Sequence, residues 1–282
     1  MNNKNVDIII PTFQPGAKLD LLVEGLLRQT VLPDKIIIIN TDESLWPEGM
    51  AEDPRVELHH IGRDEFNHGA TRNQGVRYSG APYFICMTQD AVPADRFLIE
   101  KILAPLDEEV RLSYARQIPG ADADSVECVT REFNYPETSF VKSAKDLQRL
   151  GIKTYYCSNV CAAYDRAVFD SLGGFQRVDF NEDMLYAAAV IHNGYSISYC
   201  ADARVFHSHQ LNGVQQFKRN RILGKSQKEH PEVFAGVRSE SEGIRLVGSS
   251  AKKLLIRGKW YCIPKLVWLS GCKFVGYRIG KS

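Results

Sequence analysis

Glu182 and Asp183 stand side by side, after Leu172-Gly173-Gly174-Phe175 and ahead of an apolar helical run that ends at Asn193-Gly194. Unpaired amides and the macrodipole at a helix N-terminus favour ionised carboxylates. One acid of such a pair can accept a proton while its neighbour caps or orients; the plain alternative is an acidic first turn. Asp90, in Thr88-Gln89-Asp90 after the apolar stretch Tyr83-Phe84-Ile85-Cys86-Met87, could hold Mg²⁺ or Mn²⁺ against a diphosphate, or serve only the turn before Pro93. His207-Ser208-His209 closes another apolar run. Alternate residues of a strand share a face, so both imidazoles suit a metal or an anion, and a metal shared with Asp90 is expected rather than a structural zinc. Arg72 falls in a glycine-containing loop, residues 66–75, that delivers it to a helix start. There it could grip a phosphate or a base edge, or lie solvated beside a capped helix.

These residues need a frame. Val6-Asp7-Ile8-Ile9-Ile10 reads as a buried strand stopped by Pro11, and Thr12-Phe13-Gln14-Pro15-Gly16 as its loop. Leu19, Leu22, Val23, Leu26 and Leu27 recur at helical spacing, which predicts an amphipathic helix over residues 18–29, and residues 35–39 form a second buried strand. A right-handed βαβ unit puts binding loops at the strand C-terminal ends, here residues 11–16 and 40–44. Further strands are expected at residues 56–60, 83–87, 110–117, 196–199 and 204–209, with helices starting near Thr71 and spanning residues 165–171. Residues 118–145 read as a long irregular connection with a binding role. There is no GxGxxG after the first strand and no GxxxxGK[ST] anywhere, so neither a dinucleotide fingerprint nor a P-loop is present.

The 282 residues are 44% hydrophobic and 24% charged, an ordinary globular composition, with a net charge of +1. That balance hides a division. Residues 243–282 hold nine basic residues and no acid, leaving 26 basic against 34 acidic residues, a net −8, in residues 1–242. The seven cysteines form no CxxC pair, Cys157 and Cys161 read as small core residues, and the N-terminus lacks the apolar stretch of a signal peptide. A reducing cytosol is the expected compartment. In the basic segment, cations alternate with Trp260-Tyr261, Trp268 and Tyr277, and no uncharged stretch approaches the ~18 residues a spanning helix needs. The pattern predicts a helix lying in a membrane interface against anionic headgroups; the alternative is a basic appendage packed on the acidic body or on a second copy in a homodimer.

Taken in order, residues 5–225 resemble the inverting family 2 glycosyltransferases of the GT-A fold. Ile8-Ile9-Ile10-Pro11-Thr12-Phe13, Thr71-Arg72-Asn73, Thr88-Gln89-Asp90, the block from Gly173 to Asp183, and Val205-Phe206-His207 carry the likeness. Phe66 to Asn73, Ala115-Arg116-Gln117-Ile118-Pro119 and Phe133-Asn134-Tyr135-Pro136 resemble the bacterial rhamnosyltransferase branch. The resemblance implies a three-layer α/β/α sandwich with a mostly parallel sheet over residues 1–242, followed by the basic amphipathic tail, residues 243–282. It implies Asp183 as general base with Glu182 beside it to orient the acceptor, and Asp90 and His207 as ligands of Mn²⁺ or Mg²⁺. Pro11, Thr12, Phe13, Thr41, Asp42, Arg72, Asn73, Thr88, Gln89 and Asp90 fall where the family holds the nucleotide sugar. Thr88 stands where the first acid of DxD belongs, keeping a hydroxyl and removing a charge. Ser158, Asn159, Arg219 and Arg221 are implied for the acceptor or a diphosphate. The implied donor is dTDP-L-rhamnose, with a UDP-hexose as the rival. The implied acceptor is a polyprenyl-diphosphate-linked saccharide, met by an enzyme peripheral on the inner membrane face, with no nucleic-acid partner. A non-catalytic nucleotide-sugar or glycan-binding module is the remaining reading.

Overall fold

A computed structural model describes residues 4–237 and 240–282; residues 1–3, part of the N-terminal stretch that lacks a signal peptide's apolar run, lie outside it. Among the described residues nine strands make one sheet in the order β3-β2-β1-β4-β8-β6-β9-β5, with β7 on β9. The strands are β1 (Val6–Phe13), β2 (Lys35–Thr41), β3 (Val56–Ile61), β4 (Tyr83–Met87), β5 (Val92–Pro93), β6 (Val110–Ile118), β7 (Phe140–Lys142), β8 (Cys161–Asp165) and β9 (Ser196–Phe206). β1, β2, β3, β4, β6 and β9 point one way, and β5, β7 and β8 run against them.

The reversal of β8 matters for the site. It pairs Met87 with Cys161, so the start of β8 meets the end of β4 and brings Ser158 and Asn159 to the edge where the parallel strands finish. β1 does not stop at Pro11. Its pairing with β4 ends at Ile9–Cys86, whereas its pairing with β2 continues to Phe13–Thr41. Pro11 thus sits where β1 has an open side, which is where a strand tolerates a residue without an amide hydrogen.

Helices cover both faces. α1 (Ala17–Leu27) and α3 (Leu98–Leu103) bury Leu19, Leu22, Ile99 and Ile102 against one face. α2 (His68–Tyr78), α6 (Arg166–Ser171) and α7 (Glu182–His192) cover the other, with Val76, Phe169 and Leu185 in its core. α2 begins three residues before the expected Thr71, because the Asn67 side chain caps it by accepting from the amides of Gly69 and Ala70.

Residues 118–145 are not an irregular connection. They contain α4 (Ser125–Asn134), capped by Asp124 and buried through Val126 and Val129, and then β7. The two expected strands at residues 196–199 and 204–209 are one, β9, whose pairing with β6 shifts register between Ala115 and Arg116 and which ends before His207. Two short helices follow their neighbours, α5 (Leu147–Leu150) after β7 and α9 (Pro231–Phe234) after α8 (Gly213–Glu229).

The basic tail forms α10 (Glu240–Ile256) and α11 (Ile263–Lys281). α10 begins before residue 243, so the helix crosses the boundary expected from charge. Leu254 and Leu266 pack with Val126 and Val129 of α4, while α11 lies along α8. The approach is close: a methyl group added at Gly276 or Gly280 would collide with the carbonyl of Phe217 or Arg221, and one at Gly224 with that of Tyr277. Lys253 and Arg257 pair with Glu132 at 2.9 Å, and Lys265 with Asp124 at 2.7 Å. Trp260, Tyr261 and Phe274 remain exposed, and no helix among the described residues is long and apolar enough to cross a membrane. All seven cysteines are free: Cys86, Cys157, Cys161 and Cys200 are buried, and Cys128, Cys262 and Cys272 are half-buried around the helices of the tail.

Candidate active site

α7 starts from Asn181, a non-glycine residue in the left-handed region at φ 78°. Such strain persists only where surrounding structure fixes it. Asn181 is itself buried, and ahead of it Gly173 and Gly174 adopt φ of 81° and 73°, with Phe175 buried against Phe169 at 4.9 Å. Asn73 accepts from the Phe175 amide at 3.0 Å and donates to its carbonyl at 2.8 Å. Its side chain is therefore spent on this turn, not free to hold a nucleotide.

The two acids part in role. Glu182 is buried, with Arg72 at 3.0 Å and the Asn159 amide donating to it at 3.0 Å. Burial works to raise its carboxyl, but Arg72, His68 and Asn159 outweigh it and hold it below the usual range. Glu182 thus does not face an acceptor. Arg72 is likewise turned inward, also donating to the His68 carbonyl at 2.9 Å, because a buried carboxylate leaves it no cheaper position than beside its countercharge.

Asp183 keeps an accessible edge. Its two oxygens accept from the backbone amides of Asn159 at 3.2 Å and Met184 at 2.8 Å, which fix the carboxylate's direction. Burial first, and the negative charge of Glu182 second, push its carboxyl up to about 7. Such a group is poised to take a proton near neutral pH. Tyr164 donates to Asn159 at 2.6 Å, so one buried asparagine orients both acids.

Asp90 meets the histidines. Its two oxygens lie 3.6 Å from His207 Nε2 and 3.3 Å from His209 Nε2. One ligand atom from each of the three residues falls within 4.8 Å of the others. Burial, then Arg131, keep the His207 ring well below its ordinary pKa and so neutral. The Gln117 oxygen, 3.1 Å from His207 Nδ1, can accept its hydrogen and leave the Nε2 lone pair toward Asp90. A carboxylate and neutral imidazoles with a supported tautomer fit a divalent cation.

At the adjoining strand tips, Gln89 clamps β1 to β4 by accepting from the Phe13 amide at 2.8 Å and donating to its carbonyl at 3.0 Å. Thr12 donates to Asn40 at 3.0 Å, and Asp42 holds Arg63 at 2.6 Å, with that guanidinium over the Phe13 ring. The hydroxyls of Thr41 and Thr88 are buried without a partner. Unspent hydroxyls beside strand ends await a ligand's polar groups.

A cavity of about 730 Å³ opens next to these groups, lined by Ser158, His207 and His209, by Gln117 and Arg131, and by Arg219 across from them. A smaller one of about 510 Å³ lies on the other side of Phe180. Arg221 lines neither; it is exposed on α8, with its carbonyl against Gly280. Fully buried Lys142 donates to the carbonyls of Lys153 and Tyr156 and fixes the segment leading to Ser158. Burial pushes that ammonium down to about 7. Gln117, Arg131 and His209 join the site from outside the set of residues that the family resemblance implies. For Arg131 the sequence does carry a signal, the Asp124 cap followed by Val126 and Val129 at helical spacing.

Known proteins resemble this chain in family and in fold. The family model described as Glycosyl transferase family 2 matches residues 7–173. The O-antigen chain rhamnosyltransferase RfbN of Salmonella typhimurium is 35% identical over 98% of this chain and 89% of its own length. WbaN of Salmonella anatum, also an O-antigen chain rhamnosyltransferase, is 35% identical over 97% and 88%. Among solved structures, the mannosyltransferase PcManGT of Pyrobaculum calidifontis, in complex with GDP-Man and Mn²⁺, superposes with a TM-score of 0.63 at 14% identity, over 96% of this chain and 85% of its own. TarS of S. aureus, residues 1–349, gives 0.53 at 14% identity over 98% and 90%. The fold is the GT-A sandwich that the resemblance implies.

Proposed function

Because this chain belongs to glycosyl transferase family 2, we propose that it moves L-rhamnose from dTDP-L-rhamnose to a polyprenyl-diphosphate-linked saccharide in bacterial surface-polysaccharide synthesis. It is a glycosyltransferase, and the choice of sugar is supported by the two O-antigen chain rhamnosyltransferases that match it nearly end to end. The observation that carries the mechanism is Asp183, an accessible carboxylate fixed by two amides and raised to about 7. An acceptor hydroxyl gives its proton to Asp183 as its oxygen attacks the anomeric carbon. The bond to the leaving nucleoside diphosphate breaks on the opposite side, so the configuration inverts. A divalent cation held by Asp90, His207 and His209 would supply charge neutralisation at the leaving diphosphate. Thr41 and Thr88 offer their unspent hydroxyls to the nucleoside end of the donor, beside Pro11, Thr12, Phe13, Asp42 and Gln89.

The tail serves the same reading. Trp260, Tyr261 and Phe274 stand exposed among basic residues, the composition of a surface that rests at the headgroup level of an anionic leaflet. A lipid-carried acceptor would be met there, on the cytoplasmic side.

Nucleotide release from dTDP-L-rhamnose and from UDP-glucose, with a lipid-linked saccharide present, tests the proposal. Release from the first but not the second is expected, and Asp183→Asn should lower it more than a hundredfold while nucleotide affinity changes less than about threefold. Turnover with UDP-glucose alone would refute the donor. An Asp183→Asn rate above about a tenth of wild type, a barrier change below roughly 1.4 kcal/mol, would refute the base.

A further inference from the structure

The large cavity has a wall that neither the sheet nor the acid pair supplies. Besides residues of α4 and α8, it is lined by Lys265, Leu266, Trp268 and Lys273 of α11. The charges on this lining do not cancel. Asp124 is paired with Lys265 at 2.7 Å, and Glu127 faces Arg131 at 3.6 Å while also accepting from the His209 amide at 3.1 Å. That leaves Arg219 and Lys273 without a carboxylate partner among the described residues. Arg219 has the face of Phe180 at 5.6 Å. Lys273 is half-buried at the cavity wall.

Unpaired cations that converge on one partly desolvated cavity cost folding energy unless an anion completes them. Burial first, then the charges of Arg219 and Arg131, push the Lys273 ammonium down from its ordinary value, which places the three cations within each other's field. Leu266, Leu269 and Trp268 lie beside Lys273 on the same wall, so the anion would have apolar surface next to it.

We infer that Arg219 and Lys273 form a diphosphate-binding subsite, and that α11 is a wall of the reaction cleft as well as a surface for the membrane. The subsite deepens the reading of a lipid-diphosphate acceptor and rests on it for the identity of the carrier. The guanidinium and ammonium meet the phosphoryl oxygens, and the apolar side of α11 meets the first part of the hydrocarbon. The donor's own diphosphate has the same chemistry, so the test separates the two.

Calorimetric titration of the full chain with farnesyl diphosphate, a short soluble prenyl diphosphate, and separately with dTDP plus Mn²⁺, would be run on wild type, Lys273→Gln, Arg219→Gln and Lys273→Arg. At least a tenfold loss of affinity for farnesyl diphosphate in both Gln variants is expected, with dTDP affinity unchanged and Lys273→Arg close to wild type. Loss confined to dTDP would keep the subsite and assign it to the donor, overturning the carrier assignment. If wild type ignores farnesyl diphosphate while the variants still weaken dTDP, the lipid-diphosphate reading falls and the subsite stands. If wild type binds farnesyl diphosphate and all variants match it, the subsite is refuted while the acceptor reading survives. Unchanged melting temperatures in the variants exclude a folding artefact.

Discussion

Asp183 cannot take a proton while it carries one. With its carboxyl raised to about 7, the base is mostly protonated at pH 6, so the transfer rate should climb through about pH 6–8 and level off above. The second cause of that elevation is the charge of Glu182. Glu182→Gln removes it and leaves the Arg72 guanidinium uncompensated nearby, and both changes favour ionised Asp183. The acid limb of the rate profile should therefore move to lower pH, and the fold should lose about 3–5 kcal/mol because a buried cation is stranded. A limb that stays in place would show that Glu182 does not tune the base. At the other cluster, His209→Gln should weaken Mn²⁺ binding to the protein without donor, measured by calorimetry, in the direction of Asp90→Asn but less strongly. Neither the tuning nor the turn of Arg72 can be read from spacing alone. Which way Arg72 turns depends on Glu182 being buried beside it, a contact across 110 residues of sequence.

The elements that carry an apolar rhythm are legible in the sequence. β1, β2, α1 and α7 announce themselves by β-branched runs or by 3-and-4 spacing, and the order of strand tips places Asp90, Asp183 and His207 at one edge. α4 is marked only by its Asp124 cap and by Val126 and Val129 three apart, a sparser rhythm than the four buried apolar residues of α1. The tail reads as helical, with docking on the body only as the alternative to a membrane helix, since its close contact with α8 is made by glycines, which carry no hydropathic signal. That contact sets an energetic order. Leu254 and Leu266 are fully buried, and truncating either to Ala should cost about 2–4 kcal/mol. Glu132→Ala removes two partly exposed ion pairs and should cost less than about 1 kcal/mol. Gly276→Val drives a side chain into the Phe217 carbonyl and should cost about 1–3 kcal/mol, loosening α11 from α8. Thermal or urea unfolding of the three variants checks the order; a Glu132→Ala loss larger than that of Leu254→Ala would invert it.

Across the whole molecule, Arg245, Lys253, Arg257 and Lys265 of the basic tail pair with acids of the body, and exposed Lys252, Lys259 and Lys281 carry no carboxylate partner among the described residues and stay open to an outside surface. Triple replacement of exposed Trp260, Tyr261 and Phe274 by Ala should cut sedimentation with anionic liposomes at least tenfold while leaving the melting temperature unchanged. Raised salt should weaken binding of the unaltered chain, at about 1 kcal/mol per engaged cation near the surface. Full sedimentation of the triple variant would move the contact elsewhere. The placement of sulfur offers another view of the same region. Cys86, Cys157, Cys161 and Cys200 are buried in and around the sheet, whereas Cys128, Cys262 and Cys272 are half-buried along the seam where α4, α10, α11 and the start of α8 meet. A small maleimide therefore labels the seam while the body stays closed, with no engineered thiol. Cys272 packs over Gly213, so the rate of its alkylation reports how closely α11 is held against the start of α8 and rises whenever that end of the last helix loosens.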